Sequence, residues 1–204
     1  MNPSPDSAAA QGWHDSCVLR ASVLAGSPLP TFSAGNVRLN AYEVVHGDTQ
    51  LMHETWCGMD VTYEQNRMVF GHPAVMAAGF AANLVGNSIR RARAERQARE
   101  QWRPLGWAQT LVTNQRVLAF MGNQWRGWPL DWVMELWPAP SGYAFTVLLQ
   151  GEDPLRLSGP WAPWHCVVLA YLLYGPDYLA GHPEFQAMGR PQSRQPPTDR
   201  APGT

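Results

Sequence analysis

The chain has 204 residues, 45% of them hydrophobic and only 15% charged, with a net charge of −1. That is enough apolar material for one domain with a real core, while a near-neutral molecule has no global field to steer it toward nucleic acid. Three widely spaced cysteines (Cys17, Cys57, Cys166) form no CxxC pair and match neither a disulfide framework nor zinc-ligand spacing.

Residues 1–36 are rich in Pro, Ser, Ala and Gly. They carry too little apolar surface to offset ordering entropy, so a flexible N-terminal region is expected, with only Trp13–Leu24 able to pack. The start lacks the basic residues and apolar run of a secretory signal, which points to a reduced, cytoplasmic setting. The domain proper is expected over residues 37–180. Its first strand-like runs are Val37–Tyr42, which alternates, and Leu51–Tyr63, rich in Thr, Val and aromatics. From Pro73 to Trp102 proline is absent after the first position and alanine is abundant, predicting a long helix over 73–102 that Pro104 stops.

The period then returns to two. Ala108–Thr113 and Arg116–Met121 read as strands around an Asn114-Gln115 turn, and Gly122-Asn123 is a further turn. Segments from Trp125, Trp132, Tyr143 and Pro154 continue an antiparallel meander. Trp164–Tyr174 is apolar around its circumference and reads as a helix closed by Gly175-Pro176. Eight of the ten tryptophans lie between Trp102 and Trp164. Each can bury about 150–250 Å², so the cluster is expected to be mainly core and helix-to-sheet interface. Residues 181–204 read as a disordered C-terminal tail.

The segment Val112, Thr113, Asn114, Arg116, Val117 and Leu118, with the closing Leu155-Arg-Leu-Ser-Gly-Pro-Trp-Ala-Pro-Trp into an apolar helix, resembles bacterial PH-like (pleckstrin-homology-like) domains. The resemblance implies an α+β fold: a small antiparallel barrel or sheet capped by a C-terminal helix, here with residues 73–102 as an inserted helix. It implies a binding or adaptor module and selects no ligand, because such folds host unrelated binding tasks.

Two contact surfaces stand out. Arg90, Arg93, Arg96, Arg99 and Arg103 recur near helical spacing, and a Pro/Gly-rich run carries Trp125, Arg126, Trp128 and Trp132. Trp and Arg are enriched at interface hot spots. The candidate partners are a protein for the tryptophan face and anionic lipid headgroups for the arginine helix. Nucleic acid is disfavoured by the acidic balance, and small residues along 73–102 suit a homo-oligomer. A second reading makes the uncharged stretch 68–89 a membrane anchor, spanning or peripheral at the inner face, with Arg90–Arg103 on the cytoplasmic side. A third is a small enzyme with an unrecognised site. No nucleophile motif, phosphate loop, dinucleotide fingerprint or metal-ligand set nominates a catalyst, cofactor or metal. His53 with Cys57 supplies two ligands at most, and His165 reads as a satisfied core histidine.

Overall fold

The computed structural model describes residues 5–57 and 101–189. Seven strands form one antiparallel sheet: β1 (Val45–Cys57), β2 (Gln101–Thr113), β3 (Arg116–Met121), β4 (Gln124–Pro129), β5 (Val133–Ala139), β6 (Ala144–Leu149) and β7 (Leu155–Ser158). Their order is β4-β3-β2-β1-β7-β6-β5. Among the described residues four helices join them: α1 (Pro5–Leu24), α2 (Ala162–Tyr174), α3 (Pro176–Gly181) and α4 (Pro183–Gln186). The class is α+β.

The first strand organises the sheet. Its full length pairs with β2, and its segment Met52–Thr55 also pairs with β7, so one strand belongs to both halves of the meander. Alternation along it turns Leu51 and His53 toward the helices and Asp48 and Gln50 toward solvent. The β3–β4 hairpin closes through Gly122 (φ 57°) and Asn123 (φ 65°), the left-handed pair that a two-residue turn matched to strand twist requires.

The core lies between the sheet and α2. Phe145, Leu157, Leu51, Val112 and Leu169 are fully buried there, joined by Leu19 and Val23 of α1. Helix α2 is apolar all round because it is covered all round: β1 and β6 lie against one side, α1 and α3 against the other. A smaller cluster on the opposite sheet face is built from Val45, Leu111 and Leu118 under Val37 and Leu39 of the incoming loop.

Several expectations need correction. Residues 5–24 are not part of a flexible region but a 20-residue helix. Its buried face is made by Leu19 and Val23, and Gly12 lies so close to α2 that a Cβ there would overlap the carbonyl of Pro160. The alternating run Val37–Tyr42 is a loop, because its apolar residues cover the outer sheet cluster instead of joining a ladder. Residues 181–189 are not tail: α4 and a following 3-10 turn bury Phe185 and Met188 in the core, and α3 adds Leu179. The inserted helix falls largely on residues 58–100, outside the described residues. Gln101 and Trp102, expected at its end, begin β2 instead, where Trp102 pairs across to Trp56. Pro104 pairs with Glu54 of β1 beside a register shift, on the stretch of β2 that β3 leaves uncovered, an edge and bulge setting in which proline is tolerated.

The tryptophans are the largest correction. Among the described ones only Trp128 is buried; Trp56, Trp107, Trp132 and Trp137 are exposed and the others half-buried. The interior is mainly aliphatic with Phe145, Phe185 and Trp128, and the other indoles lie at its rim or on the surface.

Candidate functional site

The residues that carry the PH-like resemblance turn out to hold a loop in place. The Thr113 hydroxyl accepts the N–H groups of Gln115 (3.1 Å) and Arg116 (2.9 Å), which fixes the β2–β3 turn. Asn114 accepts the N–H of Val44 through Oδ1 (2.8 Å) and donates through Nδ2 to the Tyr42 carbonyl (3.0 Å). Arg116 grips Glu43 with a fork of 2.8 and 3.0 Å. Burial alone would raise the Glu43 carboxyl, but hydrogen bonds from Arg116, Asn40 and Thr113 hold it below the usual carboxylate range. The motif is a latch between the β2–β3 turn and residues 40–44, which accounts for its polar residues without any ligand.

The tryptophan run does not form one face. As β4 alternates, Trp125 points to the outer cluster and Trp128 to the core, while Trp132 sits exposed in the 3-10 turn Leu130–Trp132. Trp128 stacks on the buried His53 ring (6.3 Å between centroids, 23°), and the Arg126 guanidinium lies 5.9 Å from the Trp128 ring centre. A strand's period of two therefore splits the run between the two sheet faces. Arg103 lies in β2, its Nε donating to the Cys57 carbonyl (3.1 Å). Arg90, Arg93, Arg96 and Arg99 lie outside the described residues, as does the stretch 68–89. No described helix is long and apolar enough to cross a membrane.

Two histidines are sealed inside. His53 Nε2 meets the Thr110 hydroxyl at 2.7 Å, and that hydroxyl donates to the Ala108 carbonyl (3.1 Å), so Nε2–H is the donor and Nδ1 carries the lone pair. His165 Nε2 shares a 2.8 Å bond with the Thr49 hydroxyl, and its ring lies so near Gly47 that a Cβ there would be 2.9 Å from Cε1. Neither Nδ1 has a partner. Burial pushes His53 down to about 4, and burial with the neighbouring His53 pushes His165 down to about 3. Both rings are neutral near pH 7. Neither ring has exposed surface. Among the described residues, no group of three or more His, Cys, Asp or Glu side chains is arranged to hold a metal ion.

The surface is richer. Where α1, β1 and the start of α2 meet, a cleft of about 330 Å³ is walled by Phe32, Trp161 and Trp164 and floored by Gly47 and Thr49. Asp15 of α1 and Asp48 of β1 stand on its rim. The Trp164 indole is fixed, its Nε1 donating to the His46 carbonyl (3.1 Å) and Phe32 meeting its ring edge-on at 6.2 Å. Phe32 is itself held by a backbone bridge to Val45. Two further hollows adjoin the cleft. One, toward Trp107 and Pro160, shares Asp48, Thr49 and Trp161; the other, toward Val18 and Pro28, shares Asp15 and Trp164. Trp107, 57% exposed, lies across β1 against Gly159, where a Cβ would come 3.0 Å from its ring.

The result is a continuous groove with an aromatic middle. Composition pointed at the tryptophans, but the groove joins side chains from positions 15, 32, 48, 107, 161 and 164, which no local motif could bring together. The pair formed by exposed Trp56 and half-buried Trp102 differs in kind. Around Trp102 the Arg156 guanidinium stacks on the ring (4.5 Å) and is bound by Glu54 at 2.7 and 2.8 Å, so its charges are mutually satisfied. No protein-family model matches this chain, and no curated protein matches it in sequence.

Proposed function

We propose that this chain is a non-enzymatic binding module of PH-like build whose partner lies in the aromatic groove between α1, β1 and the start of α2. The observation that carries the reading is the groove itself. Its central indole, Trp164, is pre-fixed by a hydrogen bond and an edge-on ring contact, so little of its side-chain freedom is lost when a partner covers it. Exposed, rigid Trp is the residue type that dominates interface energetics.

The PH-like part of the reading draws support from the strand order, with two antiparallel meanders joined through β1, and from the single long apolar helix that follows β7. The non-enzymatic part draws support from the interior, where the two histidines are fully buried and bonded to Thr hydroxyls. The arginine-rich stretch 90–103 belongs to the same proposal as a second contact surface, for anionic headgroups.

The test is site-specific photo-crosslinking of the full chain in its host cells. A crosslinking residue at Gln50, on the groove, is expected to give discrete adducts that Trp107→Ala abolishes, while one at Phe120, on β3, gives none. Identical adduct patterns from the two positions, or adducts from Gln50 that ignore Trp107→Ala, would remove the groove from consideration. Co-sedimentation with phosphatidylserine vesicles tests the arginine stretch separately.

A further inference from the structure

The groove carries two carboxylates that no cation neutralises. Asp15 accepts a hydrogen bond from the amide of Gln11 (2.8 Å), and Asp48 accepts from the amide of Gln109 with both oxygens (2.9 and 3.2 Å). Amide donors orient a carboxylate without cancelling its charge. Two other carboxylates are held differently: Glu43 is paired with Arg116 and Glu54 with Arg156, each by a two-point fork. In the groove two unneutralised carboxylates line the same cleft as three aromatic rings.

From this we infer that the groove recognises an arginine side chain presented by an extended segment of a partner polypeptide. The inference rests on the groove being the binding site and adds the chemistry of its occupant. The negative faces of Trp161, Trp164 and Phe32 attract a cation placed over them. A guanidinium is planar, weakly hydrated and forked, so it stacks on an indole while its N–H groups reach carboxylates on either side. The chain already uses this pairing once, where Arg156 lies on Trp102 and forks to Glu54. An anionic partner is opposed by the same two carboxylates.

The shape points to a polypeptide instead of a free ion. The central cleft continues on both sides into hollows that share its lining residues. At the α1 end Val18, Pro28 and Pro30 offer an apolar seat, and at the other end Trp107 and Pro160 offer a second. An extended chain places neighbouring side chains about 3.3 Å apart along its axis, so residues flanking the arginine would enter these two hollows. The occupant is a short extended segment with a central arginine and apolar neighbours.

The experiment is selection from a random peptide library by the full chain, in parallel with the D15N/D48N double variant and Trp107→Ala. Asp→Asn is isosteric, and near-UV circular dichroism from the tryptophans verifies that the variants keep their packing. Wild type is expected to select sequences enriched in Arg and poor in Asp and Glu. Synthetic versions should lose about tenfold in affinity when the arginine is replaced by the neutral isostere citrulline, or when both aspartates are neutralised, a factor worth about 1.4 kcal/mol. Affinity should also fall with added salt. If selected peptides depend on Trp107 but contain no arginine, or bind D15N/D48N undiminished, the cation inference fails and the groove stands. If no selected peptide depends on Trp107, both fail.

Discussion

Acid should unfold this protein through its two sealed histidines. In the unfolded chain each imidazole titrates near its ordinary value of 6.5; in the fold His53 does so at about 4 and His165 at about 3. Both folded values are depressed, so the stability linked to them is fully present above pH 6.5. It is lost as pH falls from there toward the folded values, because the unfolded state takes up protons that the native state refuses. At about pH 5 each histidine costs about 2 kcal/mol relative to neutral pH, and the pair about 4 kcal/mol. A domain of this size is stable by roughly 5–15 kcal/mol, so that loss is a large fraction of the total. Protonation gains nothing inside, since neither Nδ1 has an acceptor facing it. Urea unfolding at a series of pH values between about 7.5 and 4.5 should show the midpoint falling steeply below about pH 6.5. The variants His53→Gln and His165→Gln are expected to be less stable at neutral pH, yet each should roughly halve the pH slope. A midpoint that stays level from about pH 6.5 to 5, or a slope that both variants leave intact, would show that these rings are not the groups that titrate.

Other consequences follow from packing and pairing. Gly12→Ala pushes a Cβ into the Pro160 carbonyl, and because the obstacle is backbone the helices must separate; a loss of about 1–3 kcal/mol in urea unfolding is expected. Glu43→Gln breaks the fork to Arg116 and leaves that guanidinium half-buried without its anion. Removing one partner of a buried pair costs about 3–5 kcal/mol, which partial exposure of Arg116 lowers, and amide exchange should speed up selectively over residues 40–44 and the β2–β3 turn. Cys166 is fully buried and its thiol is pushed far up by desolvation, so a thiol reagent applied to native protein should label half-buried Cys57 while leaving Cys166 untouched until denaturant is added. Phe145→Ala opens the centre of the core between β6 and α2 and should cost about 3–5 kcal/mol, measured as a shifted urea midpoint at unchanged slope.

Elements with strong local signals were legible in the chain. The strand Arg116–Met121, the Gly122-Asn123 turn and the helix running to a Gly175-Pro176 stop appear where periodicity and turn chemistry put them. Elements that depend on a neighbour were not. Helix α1 mixes small and polar residues with a few leucines and valines, and its order comes from the surface of α2 that it covers. The short helices α3 and α4 are too brief to stand alone and persist because Leu179 and Phe185 are buried. The loop 37–42 shows the reverse case, an alternating pattern whose apolar residues found a sheet face to cover and not a strand to pair with.

By itself the sequence determined the antiparallel meander, its hairpins and the long apolar helix, because those follow from periodicities of two and 3.6 and from residues that force a turn. It also marked tryptophan as the distinctive material of this domain. Tertiary structure alone decided which indoles face water, since a strand's two sides are equivalent until something covers one of them. It alone assembled the groove, whose aspartates and aromatic rings come from both ends and the middle of the chain and meet only where α1, β1 and α2 converge.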